Sequence, residues 1–186
     1  MRTFIAIPLS AEARALLDEL QTKMRSFGAD VRWTAVSSIH LTLKFLGEIE
    51  PAVLPRLVAL LRAAAASEQA FMLCLRGLGG FPNLRNPRVL WCGLEGDLQL
   101  LASLQQKVEQ ACLEAGCVPE ERPFQPHLTL GRVRGKSNLQ PLLDYIKIGS
   151  TMERAFGVKE LNVYQSTLRP QGALYTVLEK IDLKGK

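Results

Sequence analysis

Apolar residues recur along the chain with two periods, and the changes between them mark out its elements. RTFIAIPL (Arg2–Leu9) alternates polar and apolar residues and is rich in Phe and Ile, which predicts a strand. After Ser10 the period lengthens. Ala15, Leu16, Leu20 and Met24 line one stripe of AEARALLDELQTKMRSFG, a helix capped by Ser10 and ended by Gly28. VRWTAV predicts a short strand, Ser37 and Ser38 a turn, and IHLTLKFLGE a strand closed by Gly47. PAVLPRLVALLRAAAA reads as a second helix, with Pro51 and Pro55 tolerated near its first turn. Two strands follow, FMLCLRGL and PRVLWCGLE, separated by GLGGFPNLRNP, whose Gly, Pro and Asn predict an exposed loop.

The third helix is DLQLLASLQQKVEQACLEAG, with Asp97 as N-cap and Gly116 as stop. VPEERPFQ is a loop, PHLTLGRV a strand and NLQPLLDYIKIG a short helix. MERAFGVKELNVYQSTL and ALYTVLEKIDL predict one strand each, and the tail KGK is expected to fray. Strands alternate with helices, yet several follow one another directly. That order predicts an α+β architecture with antiparallel sheets rather than a doubly wound parallel sheet.

The word HLTL occurs twice, at His40 and His127, which are 127 − 40 = 87 positions apart, close to half of the 186 residues. Such spacing predicts two similar lobes, each carrying one copy, as a duplication leaves. No low-complexity segment or long linker divides the chain. Residues 1–186 are therefore expected to form a single domain of two interleaved lobes. With 47% hydrophobic and 22% charged residues, disorder is excluded and a sizeable core is expected. No apolar run is long enough to span a bilayer. The start of the chain lacks an apolar segment followed by a small-residue cleavage site, so a cytoplasmic location without membrane attachment is expected. Cys74, Cys92, Cys112 and Cys117 form no CxxC pair and read as free thiols in a reducing compartment. The net charge of +5 suits a polyanionic partner but also simply favours solubility.

His40 and His127 are the chain's only histidines, so each copy of the word holds one. In a strand His40 and Thr42 share one face while Leu41 and Leu43 take the other, and the same holds for His127, Thr129, Leu128 and Leu130. Each copy thus offers an imidazole and a hydroxyl roughly 6.5–7 Å apart along the strand. A metal centre needs three or four ligands, and no HExxH or CxxC accompanies the pair. A nucleophile elbow of the GxSxG kind is absent too. Paired acid and base is the remaining chemistry. An unperturbed imidazole titrates near pH ~6.5, so one ring can begin neutral and the other protonated. The two could work on opposite sides of one phosphorus atom, with the threonine hydroxyls holding its oxygens.

Paired H-x-T-hydrophobic words in a chain of this size resemble the 2H phosphoesterase superfamily. RTFIAIPLS, the Trp ahead of SSIHLTLKFLGE, the run before FQPHLTLGRVR, and VYQSTLRPQGALYTVLEKIDL resemble its bacterial and archaeal RNA 2′,3′-cyclic phosphodiesterases, earlier described as 2′-5′ RNA ligases. The resemblance implies a bilobal fold, two antiparallel sheets with flanking helices related by a pseudo-twofold axis, and an active-site cleft between the lobes. It implies hydrolysis of an RNA 2′,3′-cyclic phosphate end to a 2′-phosphate, with His40 as proton donor, His127 as proton acceptor and no metal or other cofactor. Thr42 and Thr129 would bind the phosphate. Arg132 would join them if Gly131 permits a bulge that turns its side chain to the histidine's face. Lys44, which shares the parity of His40 and Thr42, is a further expected phosphate contact, and Phe81 an expected base-stacking ring flanked by Arg85 and Arg88. Arg134 and Lys136 could extend the RNA path, while Trp33, Trp91 and Phe4 read as core.

The partner implied is RNA with a cyclic phosphate end, including tRNA halves or nucleotides, met by a monomer. Two other readings remain: 2′-5′ ligation or hydrolysis of another cyclic or 2′-type diester, and a non-catalytic RNA-binding module. The last would leave two isolated histidines unexplained, and the chain lacks the aromatic RNP motif of the RRM.

Overall fold

A computed structural model describes residues 1–149, 152–170 and 172–185. The described residues form nine strands: β1 (Arg2–Ile7), β2 (Val31–Trp33), β3 (Leu41–Glu48), β4 (Phe71–Phe81), β5 (Val89–Gly96), β6 (Leu128–Val133), β7 (Arg154–Val158), β8 (Glu160–Arg169) and β9 (Gly172–Asp182). The helices are α1 (Ala11–Arg25), α2 (Leu54–Ala66), α3 (Leu98–Glu114) and α4 (Leu139–Ile148), with 3₁₀ turns at Val36–Ser38 and Pro51–Val53. Ser10 caps α1 by accepting from the Ala13 N–H at 3.2 Å. Asp97 sits at the cap position of α3, but its carboxylate takes the Met72 N–H instead, tying the helix start to β4.

The strands form two antiparallel sheets, of order β3-β1-β8-β9 and β2-β6-β5-β4-β7. The α+β expectation is met. Helices α2 and α3 pack on the first sheet, against β9 and β3, and α1 and α4 on the second, against β7 and β4. The helix that follows β1 in sequence therefore backs the other sheet. Among the described residues, each sheet hides one face under two helices and leaves its second face without a helix. The words' leucines lie on the covered side: Leu41, Leu43, Leu128 and Leu130 are all within 4% of complete burial. Each contributes about 1.5–3 kcal/mol by leaving water, so both words are anchored at two points.

Four expectations change. GLGGF is not loop but the end of β4. Gly79 and Gly80 serve close packing: a β-carbon on Gly79 would stand 2.2 Å from the Trp91 ring, and one on Gly80 2.9 Å from Pro87. MERAFGVKELNVYQSTL is divided at Lys159 between β7 in one sheet and β8 in the other. VRWTAV is strand only over Val31–Trp33. Lys184 of the tail is held by hydrogen bonds with Glu68 and Ala70, whereas Lys186 lies outside the described residues. All four cysteines are free, and burial pushes the thiols of Cys92 and Cys112 up to about 12, leaving them unreactive. Among the described residues no helix is long and apolar enough to cross a membrane.

Candidate active site

Both HLTL words meet their neighbouring strand through a bulge at the same letter. Where β3 pairs with β1, Thr42 faces Ala6 but Lys44 faces Ile5, so Leu43 is an extra residue. Where β6 pairs with β5, Thr129 faces Trp91 but Gly131 faces Leu90, so Leu130 is extra. The side-chain alternation is reversed beyond each bulge. The residue four after each histidine, Lys44 or Gly131, turns to the helix-covered side. The residue five after it, Phe45 or Arg132, turns to the open side beside the threonine.

The second bulge is braced from α1. Gln21, 1% exposed, donates through Nε2 to the carbonyls of Leu130 and Thr34, each at 2.8 Å. The bulged carbonyl is thereby satisfied in the core. Gln21 lies within the apolar stripe of α1, and a polar residue in a stripe is the sequence signal that could have marked it.

Arg132 therefore opposes Val89 as Thr129 opposes Trp91, and the two share a face. The expectation for Lys44 is corrected. Its ammonium lies 2.8 Å from both carboxylate oxygens of Glu109 on α3 and 2.9 Å from the Val118 carbonyl, with its side chain 1% exposed. Simple alternation would have kept it beside Thr42; the bulge sends it into the core.

His40 and His127 stand immediately before β3 and β6. Each ring is held by the backbone two residues upstream. The Nδ1–H of His127 donates to the Gln125 carbonyl at 2.7 Å, since a carbonyl can only accept. In the neutral ring this leaves Nε2 unprotonated and free to take a proton. His40 is held in the same manner by the Ser38 backbone.

Their surroundings differ. His40 stacks on Phe4 at 4.6 Å, meets the edge of Tyr175 at 5.2 Å and lies 5.9 Å from Tyr164. Burial in this aromatic nest pushes its pKa down to about 4, against the opposing pull of the Ser38 hydrogen bond. His40 is thus neutral at neutral pH in the free protein. This neutral burial supports folding above the ordinary imidazole range, and the contribution is lost as pH falls from ~6.5 toward that value. His127 meets the ring of Phe81 edge-on at 4.8 Å, and Phe81 in turn meets Trp91 at 5.4 Å.

Phe81 is therefore placed against the second histidine. Trp91, expected in the core, lies half-buried on the open face, while Trp33 packs against the core. Phe4 is buried as expected, but beneath His40. Arg85, Arg88, Arg134 and Lys136 are all exposed, and neither Arg85 nor Arg88 has an ion-pair partner among the described residues. No three His, Cys, Asp or Glu side chains cluster as a metal would require, again among the described residues.

The family model described as the 2′-5′ RNA ligase superfamily matches residues 8–168, a span that contains both words. The chain belongs to this superfamily. A protein of Thermus thermophilus named RNA 2′,3′-cyclic phosphodiesterase is 38% identical, over 100% of this chain and 92% of its own. One of the same name from Methanothermobacter thermautotrophicus is 32% identical, over 96% and 97%. Among solved structures, that of TT0787, also from Thermus thermophilus, matches with a TM-score of 0.82 and 36% identity over the whole of both chains. That of Escherichia coli LigT complexed with 3′-AMP matches at 0.79 and 29%, over 98% and 97%.

Within this superfamily fold, sequence reasoning missed the aromatic floor of the first sheet. Phe45, 61% exposed, occupies the position equivalent to Arg132, and its ring lies 6.0 Å from Phe4. Tyr164 stacks on Phe4 at 5.0 Å, and its hydroxyl accepts from Asn162 Nδ2 at 3.1 Å, leaving the phenol proton free to donate. Aligning the two words letter by letter would have revealed Phe45. Tyr164 and Tyr175 had no signal beyond strand alternation in a chain end already read as strand.

Proposed function

We propose that this chain hydrolyses the 2′,3′-cyclic phosphate at an RNA end to a 2′-phosphate, using His40 and His127 as an acid–base pair without a metal. The carrying observation is the equivalent build of the two words. Each sets one backbone-held imidazole and one threonine on a helix-free face. The relatives named RNA 2′,3′-cyclic phosphodiesterase, matched over nearly the whole chain, supply the substrate class.

In this reading the two open faces hold one phosphate between them. His127 Nε2 takes a proton from water as the water oxygen bonds to phosphorus. The bond from phosphorus to the 3′ oxygen breaks, and that oxygen leaves as a hydroxyl with the proton given by His40. The 2′ ester is retained. Thr42 and Thr129 donate to the non-bridging oxygens, and the Arg132 guanidinium offsets the charge that builds on them. Phe45 and Phe81 offer ring faces to the terminal bases. His40 is neutral before substrate arrives, so it gains its proton in the presence of the anionic phosphate, whose charge opposes the effect of burial.

Turnover of an RNA oligonucleotide with a 2′,3′-cyclic phosphate end is expected to persist in excess EDTA, followed by chromatography of the products. Loss of activity on chelation, restored by a divalent ion, would overturn the metal-free scheme.

A further inference from the structure

The edge strand β2 sets a second arginine beside the phosphate-facing one. Arg32 is the direct cross-strand partner of Arg132, so both side chains project from the open face of the second sheet. Both are exposed, and neither has an ion pair among the described residues. Like charges directly opposite in an antiparallel pair destabilise it. The neighbours of Arg32 on β2 show which way its strand is turned. Val31 and Trp33 pack against the core, crowding Gly131 so closely that a β-carbon there would stand 2.7 Å from Val31.

Arg32 also points toward the other sheet. Its Nη2 lies 3.9 Å from where a β-carbon on Gly172, at the start of β9, would sit. The two sheets approach each other at this guanidinium. Asp30, on the same edge, has its carboxylate at Gly135 and forms no ion pair with either arginine.

We infer that Arg32 and Arg132 form a two-arginine subsite for a second phosphate, the phosphodiester one step upstream of the cyclic end. The substrate class is then a single-stranded RNA end rather than a nucleoside cyclic phosphate. Thr129 and Arg132 are separated by one pleat repeat along the sheet, roughly 6.5–7 Å, and Arg32 lies one strand further out, roughly 4.8 Å. A phosphate over Thr129 is within reach of Arg132, and the next phosphate along an exiting strand falls between the two guanidiniums. An anion there also relieves the repulsion between them.

This inference rests on the proposed function for the position of the reacting phosphate, and binding separates it from the chemistry. Calorimetry would compare a nucleoside 2′-phosphate with a dinucleotide ending in a 2′-phosphate, for the wild-type protein and for Arg32→Gln. The exposed edge position makes that variant safe for the fold. The wild-type protein is expected to bind the dinucleotide about tenfold more tightly, as one charge-assisted contact allows. Arg32→Gln should remove most of that preference and lower the salt slope for the dinucleotide by about 0.7. Equal weakening for both ligands would put Arg32 on the terminal phosphate and overturn the subsite, as would an unchanged preference. A preserved preference in a wild-type protein that turns over no cyclic phosphate would instead overturn the hydrolysis reading and leave the subsite standing.

Discussion

Replacing either His40 or His127 by Ala lowers kcat on a 2′,3′-cyclic-phosphate RNA end by about 10²–10⁴-fold, with the fold retained in thermal unfolding. The expected loss is similar for each, because one ring delivers the proton that the other's chemistry requires, and the double variant falls little further than either single one. Near-wild-type turnover in either variant contradicts the pair. The two words read alike, but their surroundings differ: burial in the ring nest of Phe4, Tyr164 and Tyr175 has pushed His40 down to about 4. kcat/KM reports the free protein, so its pH dependence contains a limb centred near that value. The reacting form carries one proton on the pair, so the profile is bell-shaped and its limbs report the pair, with the same shape whichever ring gives the proton.

Lys44→Met destabilises the protein by about 2–3 kcal/mol and leaves kcat/KM within roughly threefold of wild type. The cost arises because Glu109 stays behind, with 21% of its side chain exposed, without the ammonium that had neutralised it between α3 and β3. Partial exposure of Glu109 keeps the loss below that of a fully buried pair. The thermal midpoint should drop by about 5–10 °C for a chain of this size. Urea denaturation and steady-state kinetics, measured on the same preparation, check both halves. A large fall in kcat/KM with unchanged stability would return Lys44 to the substrate.

Lys44 and Arg132 also show how far the sequence can be read. Alternation correctly pairs His40 with Thr42 and His127 with Thr129, because a period of two is a local property. It cannot locate a bulge, which depends on the neighbouring strand and on what satisfies the displaced carbonyl; for Leu130 that is Gln21, 109 residues away. Assuming a bulge after the second word but not the first gave Arg132 the open face and misplaced Lys44. With equal geometry in both copies, the pair on the open face is Phe45 and Arg132. The same limit applies to GLGGF. Glycine favours turns, but here Gly79 leaves room for Trp91, a cross-strand neighbour that composition does not reveal. Helices, the α+β class and the duplicated words depend on local periods and were legible. The exchange of helices between sheets and the nest around His40 depend on contacts between distant segments and were not.

The most direct test of two histidines acting on one cyclic phosphate is phosphorus NMR of an RNA oligonucleotide bearing that end, recorded as the protein acts. The account predicts that the cyclic diester resonance is replaced by that of a single 2′-phosphomonoester, with no 3′-phosphomonoester and no such change with the His40→Ala or His127→Ala protein. A 3′-phosphate product, or a cyclic diester that persists with the wild-type protein, would contradict it.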